Sequence, residues 1–216
     1  MKFKKSILVL LASLLLLTVP ALASAAPLNR SDSDGPTIIK VSKEEAQRLR
    51  AEAGFPNDES VTGGFIVYPE NSSAPEDNTV TPSEIGGNEY FVKNPKTSYR
   101  VDYNDPYLPG ASGCNMTLTT SASFSKTTTI TGNVSFSASM LKIITATIGA
   151  SFAVGDTKTV TSTGSKTVSG CQVLKGYPRY EEKTGELWED DQFFDDYISP
   201  YKATRLESIY FESRSM

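Results

Sequence analysis

The sequence predicts a mainly β, antiparallel protein, and three observations support this fold class. Residues 115–170 include 24 Ser or Thr among 56 residues and alternate apolar with small polar side chains at a period of two. Residues 110–177 contain no proline, whereas residues 26–109 hold nine of the chain's twelve. Two cysteines, Cys114 and Cys171, flank the alternating block. Together these features predict a Ser/Thr-rich long hairpin or meander stapled by one disulfide.

Composition excludes several classes of enzyme. The chain has 216 residues, no His, two Cys and a formal net charge of −4. Without His there is no Ser-His or Cys-His dyad and no His-ligated zinc site, and two cysteines are too few for a four-cysteine metal site. The acidic balance disfavours nucleic acid as a partner. We therefore expect no catalytic residues, no metal and no cofactor.

Residues 1–25 are typical of a cleaved secretory signal peptide. Three lysines precede an apolar run from Ile7 to Leu17, and Ala23-Ser24-Ala25 forms a small-x-small cleavage pattern. A membrane anchor is the alternative, but the run is short for a bilayer core of about 30 Å. Secretion predicts an extracellular protein from a Gram-positive-like source, in which Cys114 and Cys171 are joined.

Residues 26–109 form a Pro-rich N-terminal region with one short helix and short strands. Ser42 followed by Glu45 is the pattern of a capping box, and Gly54 and Pro56 end the helix that it begins. The segment from Pro69 to Pro82 is polar, acidic and Pro-rich, which is typical of a linker. Strands are expected at Phe65–Tyr68, Tyr90–Lys93 and Tyr99–Tyr103.

Residues 110–216 form the β domain, in which the amphipathic block spans 114–171. Opposed residues in an antiparallel pair have a constant sum of residue numbers, and matching apolar with apolar requires that sum to be even. A turn centred on Lys142 gives a sum of 284 and pairs Phe124 with Val160 and Met140 with Ile144. The same register opposes Lys126 to Lys158, which is unfavourable unless both are exposed.

The length of this block leaves two architectures open. A straight arm over 115–141 would run about 90 Å at about 3.3 Å per residue, so a single hairpin would be elongated. Bends at glycines would instead give a compact four-stranded meander. Cys114 and Cys171 have a sum of 285, almost the same centre, which places both at the base of this hairpin.

The acidic, aromatic segment after residue 178 carries the candidate binding residues. Aromatic rings stack on sugars and peptides, so Trp188, Tyr180 and Tyr197 are candidates for surface or glycan binding, with packing in the core as the alternative. Six neighbouring acids lack the spacing of a calcium loop, so a solvated acidic face is favoured over calcium binding or a glycosidase pair: Glu186, Glu189, Asp190, Asp191, Asp195 and Asp196.

Two stretches, SASFSKTTTITGNVSFSASM and IITATIGASFAVGDTKTVTSTGSKTVSG, resemble the insertion hairpin of aerolysin-like and mosquitocidal-type β-pore-forming toxins. In that family such strands refold into a transmembrane barrel, with the apolar face toward lipid. The resemblance implies a membrane-entering tip at Met140, Leu141, Ile143 and Ile144. The Ser/Thr-rich block with the segment YPRYE also resembles small secreted proteins of Gram-positive bacteria.

We therefore expect a secreted, non-enzymatic β protein with a surface-binding or interaction role. The alternative is an aerolysin-like, membrane-active protein that inserts the 115–170 hairpin. The expected partners are a membrane or a cell-surface glycan, together with further copies of the same chain.

Overall fold

The structure of the chain, a computed structural model, describes residues 35–69, 90–190 and 194–216. The signal peptide expected at 1–25 and residues 70–82 of the expected linker lie outside these ranges. The elements, in chain order, are β1 (Thr37–Val41), α1 (Lys43–Glu52), β2 (Val61–Tyr68), β3 (Tyr90–Val101), β4 (Tyr107–Cys114), β5 (Thr117–Thr127), β6 (Thr129–Gly132), α2 (Ala138–Ile148), a 3-10 turn (Ala150–Phe152), β7 (Thr157–Thr167), β8 (Cys171–Asp190) and β9 (Asp195–Ser215).

The strands form two antiparallel sheets of different size. In the seven-stranded sheet the order is β1-β2-β9-β8-β3, with β4 also paired to β8 and β6 also paired to β9. Strands β5 and β7 form a separate two-stranded sheet, called the ribbon below. The fold is therefore mainly β and antiparallel, as the alternation of residues 115–170 predicts.

Strands β8 and β9 form the centre of the large sheet. They contain 20 and 21 residues and pair from Gln172–Ser215 to Asp190–Asp195. At about 3.3 Å per residue each spans about 65 Å, and every other strand of this sheet except β1 pairs with one of them. The segment that the sequence marks as an acidic, aromatic tail is thus the scaffold of the described fold.

The two faces of the large sheet carry different partners. Successive residues of a strand point to opposite faces. On β2, Phe65 packs with the ribbon, whereas its neighbour Ile66 packs with α1. On β8, Tyr177 packs beneath α1 and Leu187 packs beneath α2, both at odd positions. Both helices therefore cover one face of the sheet, and the ribbon covers the other.

Helix α1 follows Ser42, at the position that the capping pattern indicates. The Ser42 hydroxyl accepts a hydrogen bond from the Glu45 amide at 3.2 Å. The reciprocal bond of the expected capping box is replaced by another contact, because the Glu45 carboxylate accepts from Arg48 at 2.5 Å. On the buried side, Arg50 reaches Glu212 of β9 at 3.4 Å and ties the helix to the sheet.

The expected N-terminal strands lie within longer ones. Phe65–Tyr68 is the second half of β2, and the segments expected at Tyr90–Lys93 and Tyr99–Tyr103 are joined in β3 as far as Val101. The pairing of β3 with β8 shifts between Lys93 and Lys96, where Pro95 lies. Proline lacks the N–H that a regular ladder needs, so a bulge lets the strand continue past it.

Candidate functional site

The ribbon keeps the register that the sequence predicts. Every pair from Thr117–Thr167 to Thr127–Thr157 has a sum of 284, including Phe124 opposite Val160 and Lys126 opposite Lys158. Buried and exposed positions alternate along both strands, with the even positions inward. The alternation thus predicts the pairing of β5 with β7 residue by residue, because only an even sum puts the apolar positions on one face.

The outer face of the ribbon is a ladder of hydroxyl pairs. Six pairs of opposed Ser or Thr side chains have their oxygens 2.7 to 3.1 Å apart: Thr117–Thr167, Thr119–Ser165, Ser121–Thr163, Ser123–Thr161, Ser125–Thr159 and Thr127–Thr157. These side chains are exposed to solvent. Each hydroxyl can donate one hydrogen bond and accept two, so the paired face keeps capacity to bond water.

The inner face of the ribbon packs on the large sheet with small residues at the closest approaches. Leu118, Phe124 and Val160 lie in one buried cluster with sheet residues. Gly164 lies against the ring of Phe211, and a Cβ at Gly176 of β8 would come within 2.9 Å of the Ala122 Cβ. Side-chain packing thus holds the ribbon on the large sheet. Within the described residues no backbone ladder joins the two sheets.

Two lysines interrupt this apolar inner face near the end of the ribbon. Lys126 forms an ion pair with Asp105 at 2.9 Å. Burial, with Arg205 nearby, lowers the pKa of Lys158, while the carboxylates of Glu207 and Glu181 partly offset the shift. The predicted pairing of these lysines is correct, and neighbouring carboxylates offset the repulsion that it implies.

Residues 128–156, called the connector below, depart from the predicted hairpin. Backbone bonds from Thr128 to Asp156 and from Gly155 to Thr128 close its base. Beyond them, β6 pairs with β9, and residues 138–148 form α2. The expected strand pair of Met140 with Ile144 is therefore wrong for this structure. Neither one long hairpin nor a four-stranded meander spans 115–170.

Helix α2 forms because the same residues also fit a helical period. Met140, Ile144 and Ile148 are spaced by four, and Ser137 caps the helix by accepting from the Met140 amide at 3.3 Å. Gly149, with φ 109°, ends it. These positions fit both the period of two of a strand and the spacing by four of a helix. The Ser137 cap is the signal in the sequence that favours the helix.

The four candidate tip residues lie on α2. Ile143 and Ile144 are buried, 7% and 0% exposed, whereas Met140 and Leu141 are partly exposed. The two buried side chains belong to a cluster with Leu187 and further residues of β3, β8 and β9. In this conformation two of the four predicted tip residues are buried in a core, and the other two are only partly exposed.

No family model matches the chain, and no curated protein matches it. The resemblance to aerolysin-like toxins thus stays a prediction from the alternating block. Within the described ranges, no helix is both long enough and apolar enough to cross a membrane.

The three aromatic binding candidates differ in their exposure to solvent. Tyr180 is only 6% exposed and packs in the cluster beneath the ribbon, which agrees with the alternative of packing in the core. Trp188 is partly exposed and Tyr197 is 51% exposed, and their rings meet edge to face at 5.3 Å between centroids. Lys93 places its ammonium 4.1 Å from the centre of the Trp188 ring and pairs with Asp195 at 2.9 Å.

The acidic cluster is engaged in contacts other than metal binding. Glu186 accepts hydrogen bonds from the Trp188 indole at 3.1 Å and from Asn94 at 3.3 Å. Among the described residues, which leave out Asp191, no three potential ligands come together in a group that could hold a metal ion.

Proposed function

We propose that the chain is a secreted β protein that acts on membranes by inserting the connector as a β hairpin, with the ribbon as its stem. The observation that supports this most is the register of the ribbon. Its sum of 284 extends without change into the connector, where it would pair Val134 with Ala150 and Phe136 with Ile148. The ribbon itself pairs with no strand of the large sheet, so the extension breaks one short ladder, that of β6 with β9, and unwinds α2.

The length of the connector suits a bilayer. Two stretches, 130–140 and 144–154, contain 11 residues each, and a tilted transmembrane strand needs about 9–11. Their even positions are apolar, Ala or Gly, whereas their odd positions are Ser, Thr, Asn, Gly or Ala. An extended hairpin would therefore turn one apolar face to lipid and one small, mostly polar face to a channel.

Charges lie at both ends of these stretches. Lys126 precedes the first stretch and Lys158 follows the second, both at even positions, on the lipid-facing side, and Lys142 occupies the turn. A lysine on the lipid side costs about 2–4 kcal/mol at mid-membrane but about 0–1 kcal/mol near the interfaces. The three lysines thus mark two headgroup levels, with the uncharged stretches between them.

Insertion by this route requires several copies of the chain. A single hairpin has two unpaired edges, and in hydrocarbon each unpaired backbone group costs several kcal/mol. Closing a barrel from hairpins of several copies satisfies every edge. Homo-oligomerisation on the membrane is therefore part of this proposal.

A disulfide between the ribbon and the sheet tests the proposal. Ala122→Cys with Gly176→Cys joins facing positions whose Cβ atoms would lie 2.9 Å apart, so the ribbon must move outward by about 1 Å to reach the separation of about 3.8 Å in a disulfide. We expect the wild-type chain to release dye from liposomes and the oxidised, locked variant to do so at least tenfold more slowly. Ser121→Cys with Gly176→Cys is the matched control, because Ser121 points to solvent.

Two results would contradict the proposal. Dye release by the locked variant at the wild-type rate would exclude release of the ribbon as a step. A wild-type chain that is inert on liposomes across lipid compositions and pH would exclude the membrane activity itself.

Binding to a surface is the second proposed function, and the exposed pair of Trp188 and Tyr197 favours it. Edge-to-face aromatic rings at the end of a long hairpin offer a rigid, amphipathic contact area at low entropic cost. Binding through these rings and insertion of the connector use different parts of the chain, so one protein can do both.

A further inference from the structure

A polar groove crosses four strands of the large sheet beside the aromatic pair. It has a volume of about 460 Å³, and residues of β3, β8, β9 and β6 and of the turn after β6 line it. This volume lies within the range of about 300–1,000 Å³ that is typical of small-molecule sites. Alternation along β8 places Glu186 and Trp188 on the face that also carries Tyr180 and the ribbon.

One end of the groove holds a fixed hydrogen-bond acceptor. The Glu186 carboxylate lines the groove and is oriented by the Trp188 indole and by the Asn94 amide. Asn94 has φ 53° in the β3 bulge, a left-handed conformation that Asn tolerates better than most residues. Because these bonds hold the carboxylate in one orientation, a ligand hydroxyl would meet an acceptor whose position is already set.

The opposite wall supplies donors. Asn133 is held by its backbone, whose N–H donates to the Ser199 hydroxyl at 2.9 Å, and within the described residues its side-chain amide makes no hydrogen bond. Lys202 also lines the groove and pairs with Glu182 at 2.8 Å. The groove thus presents amide donors and acceptors around one fixed carboxylate.

The charge of the groove favours an anionic ligand. Lys96 lies on its β3 side and forms no ion pair with any carboxylate of the described chain. Glu186 already receives two hydrogen bonds, and Lys202 already has a partner. Lys96 is thus an exposed ammonium outside the ion pairs of the described residues, and with Lys202 it gives the lining two ammonium groups against one carboxylate, that of Glu186.

The aromatic pair completes a site suited to a sugar. A pyranose has an apolar C–H face that packs on aromatic rings, and equatorial hydroxyls that pair with amides and carboxylates. Trp188 is bonded directly to Glu186 of the groove, so stacking surface and polar lining are contiguous. Lys93 lies over Trp188 but is itself partly exposed, which allows it to move aside.

We propose that this groove binds a saccharide that carries a carboxylate, with the carboxylate at Lys96, hydroxyls at Glu186 and Asn133, and an apolar ring face on Trp188 and Tyr197. This inference rests on the second proposed function and names its ligand class. Asn133 belongs to the connector, so the groove is complete only while the connector stays in the conformation described here. The sugar test is made in solution, and dye release from liposomes without sugar tests the insertion separately.

The test compares an oligomer of glucuronic acid with a neutral glucose oligomer of the same length. Trp188 is the only tryptophan, so its fluorescence reports the site directly. We expect the acidic oligomer to shift this fluorescence saturably and to bind at least tenfold more tightly than the neutral one. Lys96→Gln should remove that preference, whereas Lys40→Gln, at an exposed position of β1, should keep it.

Each other result has a distinct meaning. Equal affinity for the two oligomers, or a preference that persists in Lys96→Gln, overturns the assignment of an acidic sugar but leaves surface binding standing. If the chain binds neither oligomer, the assignment of the groove as a saccharide site is overturned. If the double variant Tyr197→Ala, Lys96→Gln then still binds cells, the chain binds them through a different surface. A chain that binds neither sugar nor cells overturns the second proposed function as well.

Discussion

At the scale of single residues, buried charges depend on partners that only the folded chain brings together. Glu181 and Glu182 are each 7% exposed, although both belong to the acidic segment of the sequence. Glu181 pairs with Arg205 across the β8–β9 ladder, and Glu182 pairs with Arg100 on one neighbouring strand and with Lys202 on the other. The sequence shows these acids but not their partners, so their burial could not be predicted from it.

Glu182 supplies a pH-dependent contribution to stability. Burial alone would raise its pKa, but hydrogen bonds from Lys202 and Arg100 outweigh burial, so the pKa lies below its ordinary value of 4.5. The stabilisation is therefore present above pH 4.5 and is lost as the pH falls through the folded-state pKa. We expect Glu182→Gln to lower the free energy of unfolding by about 1–2 kcal/mol at neutral pH.

Urea unfolding of the wild type and of Glu182→Gln, at neutral pH and at about pH 3, measures this contribution. The difference between the two proteins should shrink at the acidic pH. Glu59→Gln, at an exposed position, is the control and should change stability little at either pH. A difference for Glu182→Gln that is the same at both pH values would contradict the assigned pKa shift.

At the scale of elements, α2 shows why the hairpin could be predicted in part. Alternation is unambiguous in β5 and β7, where Ser and Thr occupy every outward position. In the connector, Met140, Ile144 and Ile148 satisfy both periods, and tertiary contacts decide between them. The helix is selected because Ile144 fits a cluster of β3, β8 and β9 that the sequence does not reveal.

Ile144→Ala tests the local stability of α2. The Ile144 side chain is fully buried, and an Ile→Ala change at such a site costs about 2–5 kcal/mol. We expect faster amide hydrogen exchange throughout 138–148, with little change in the amides of β8 and β9 at Gln172–Pro178 and their partners. Lys142→Ala, at an exposed position of the same helix, should leave exchange nearly unchanged.

Uniform acceleration of exchange over the whole described chain in Ile144→Ala would contradict this local role. It would mean that α2 opens only when the large sheet unfolds, and the connector could not then be released by itself.

At the scale of the whole molecule, the disulfide lies between the long strands of the large sheet and the segment that we propose to change conformation. Cys114 and Cys171 are bonded as predicted and are paired residues at the end of the β4–β8 ladder. Everything proposed to move lies between them in sequence, and the long strands β8 and β9 lie outside. If the ribbon lifts as proposed, a cross-link at this place would keep its root on the sheet.

At this scale the sequence predicts the local features of the fold but not the long pairing of β8 with β9. The fold class, the disulfide and the register of the ribbon could be predicted, because each depends on a local pattern or on two cysteines. The scaffold itself could not, because the long pairing of β8 with β9 includes Pro178, Gly185 and many charged residues. The polar groove assembles from four strands distant in sequence, and its lining shows no motif.

The central claim is that the connector changes from helix to hairpin in the register of the ribbon, and one cross-linking measurement tests it most directly. Ala138 and Ala146 are exposed and lie about 12 Å apart along α2, too far for a disulfide. In a hairpin whose pairs sum to 284 they are directly opposed. Cysteines at both positions should therefore form a disulfide on liposomes and not in solution.

Ala138→Cys with Thr145→Cys is the matched control, because in the register that sums to 284 these two side chains point to opposite faces of the hairpin. The account predicts that 138–146 links form on liposomes, with few or no 138–145 links, when the bond is scored by mass spectrometry of the digested chain. Dye release without any 138–146 link, or equal linking of both pairs, would contradict it.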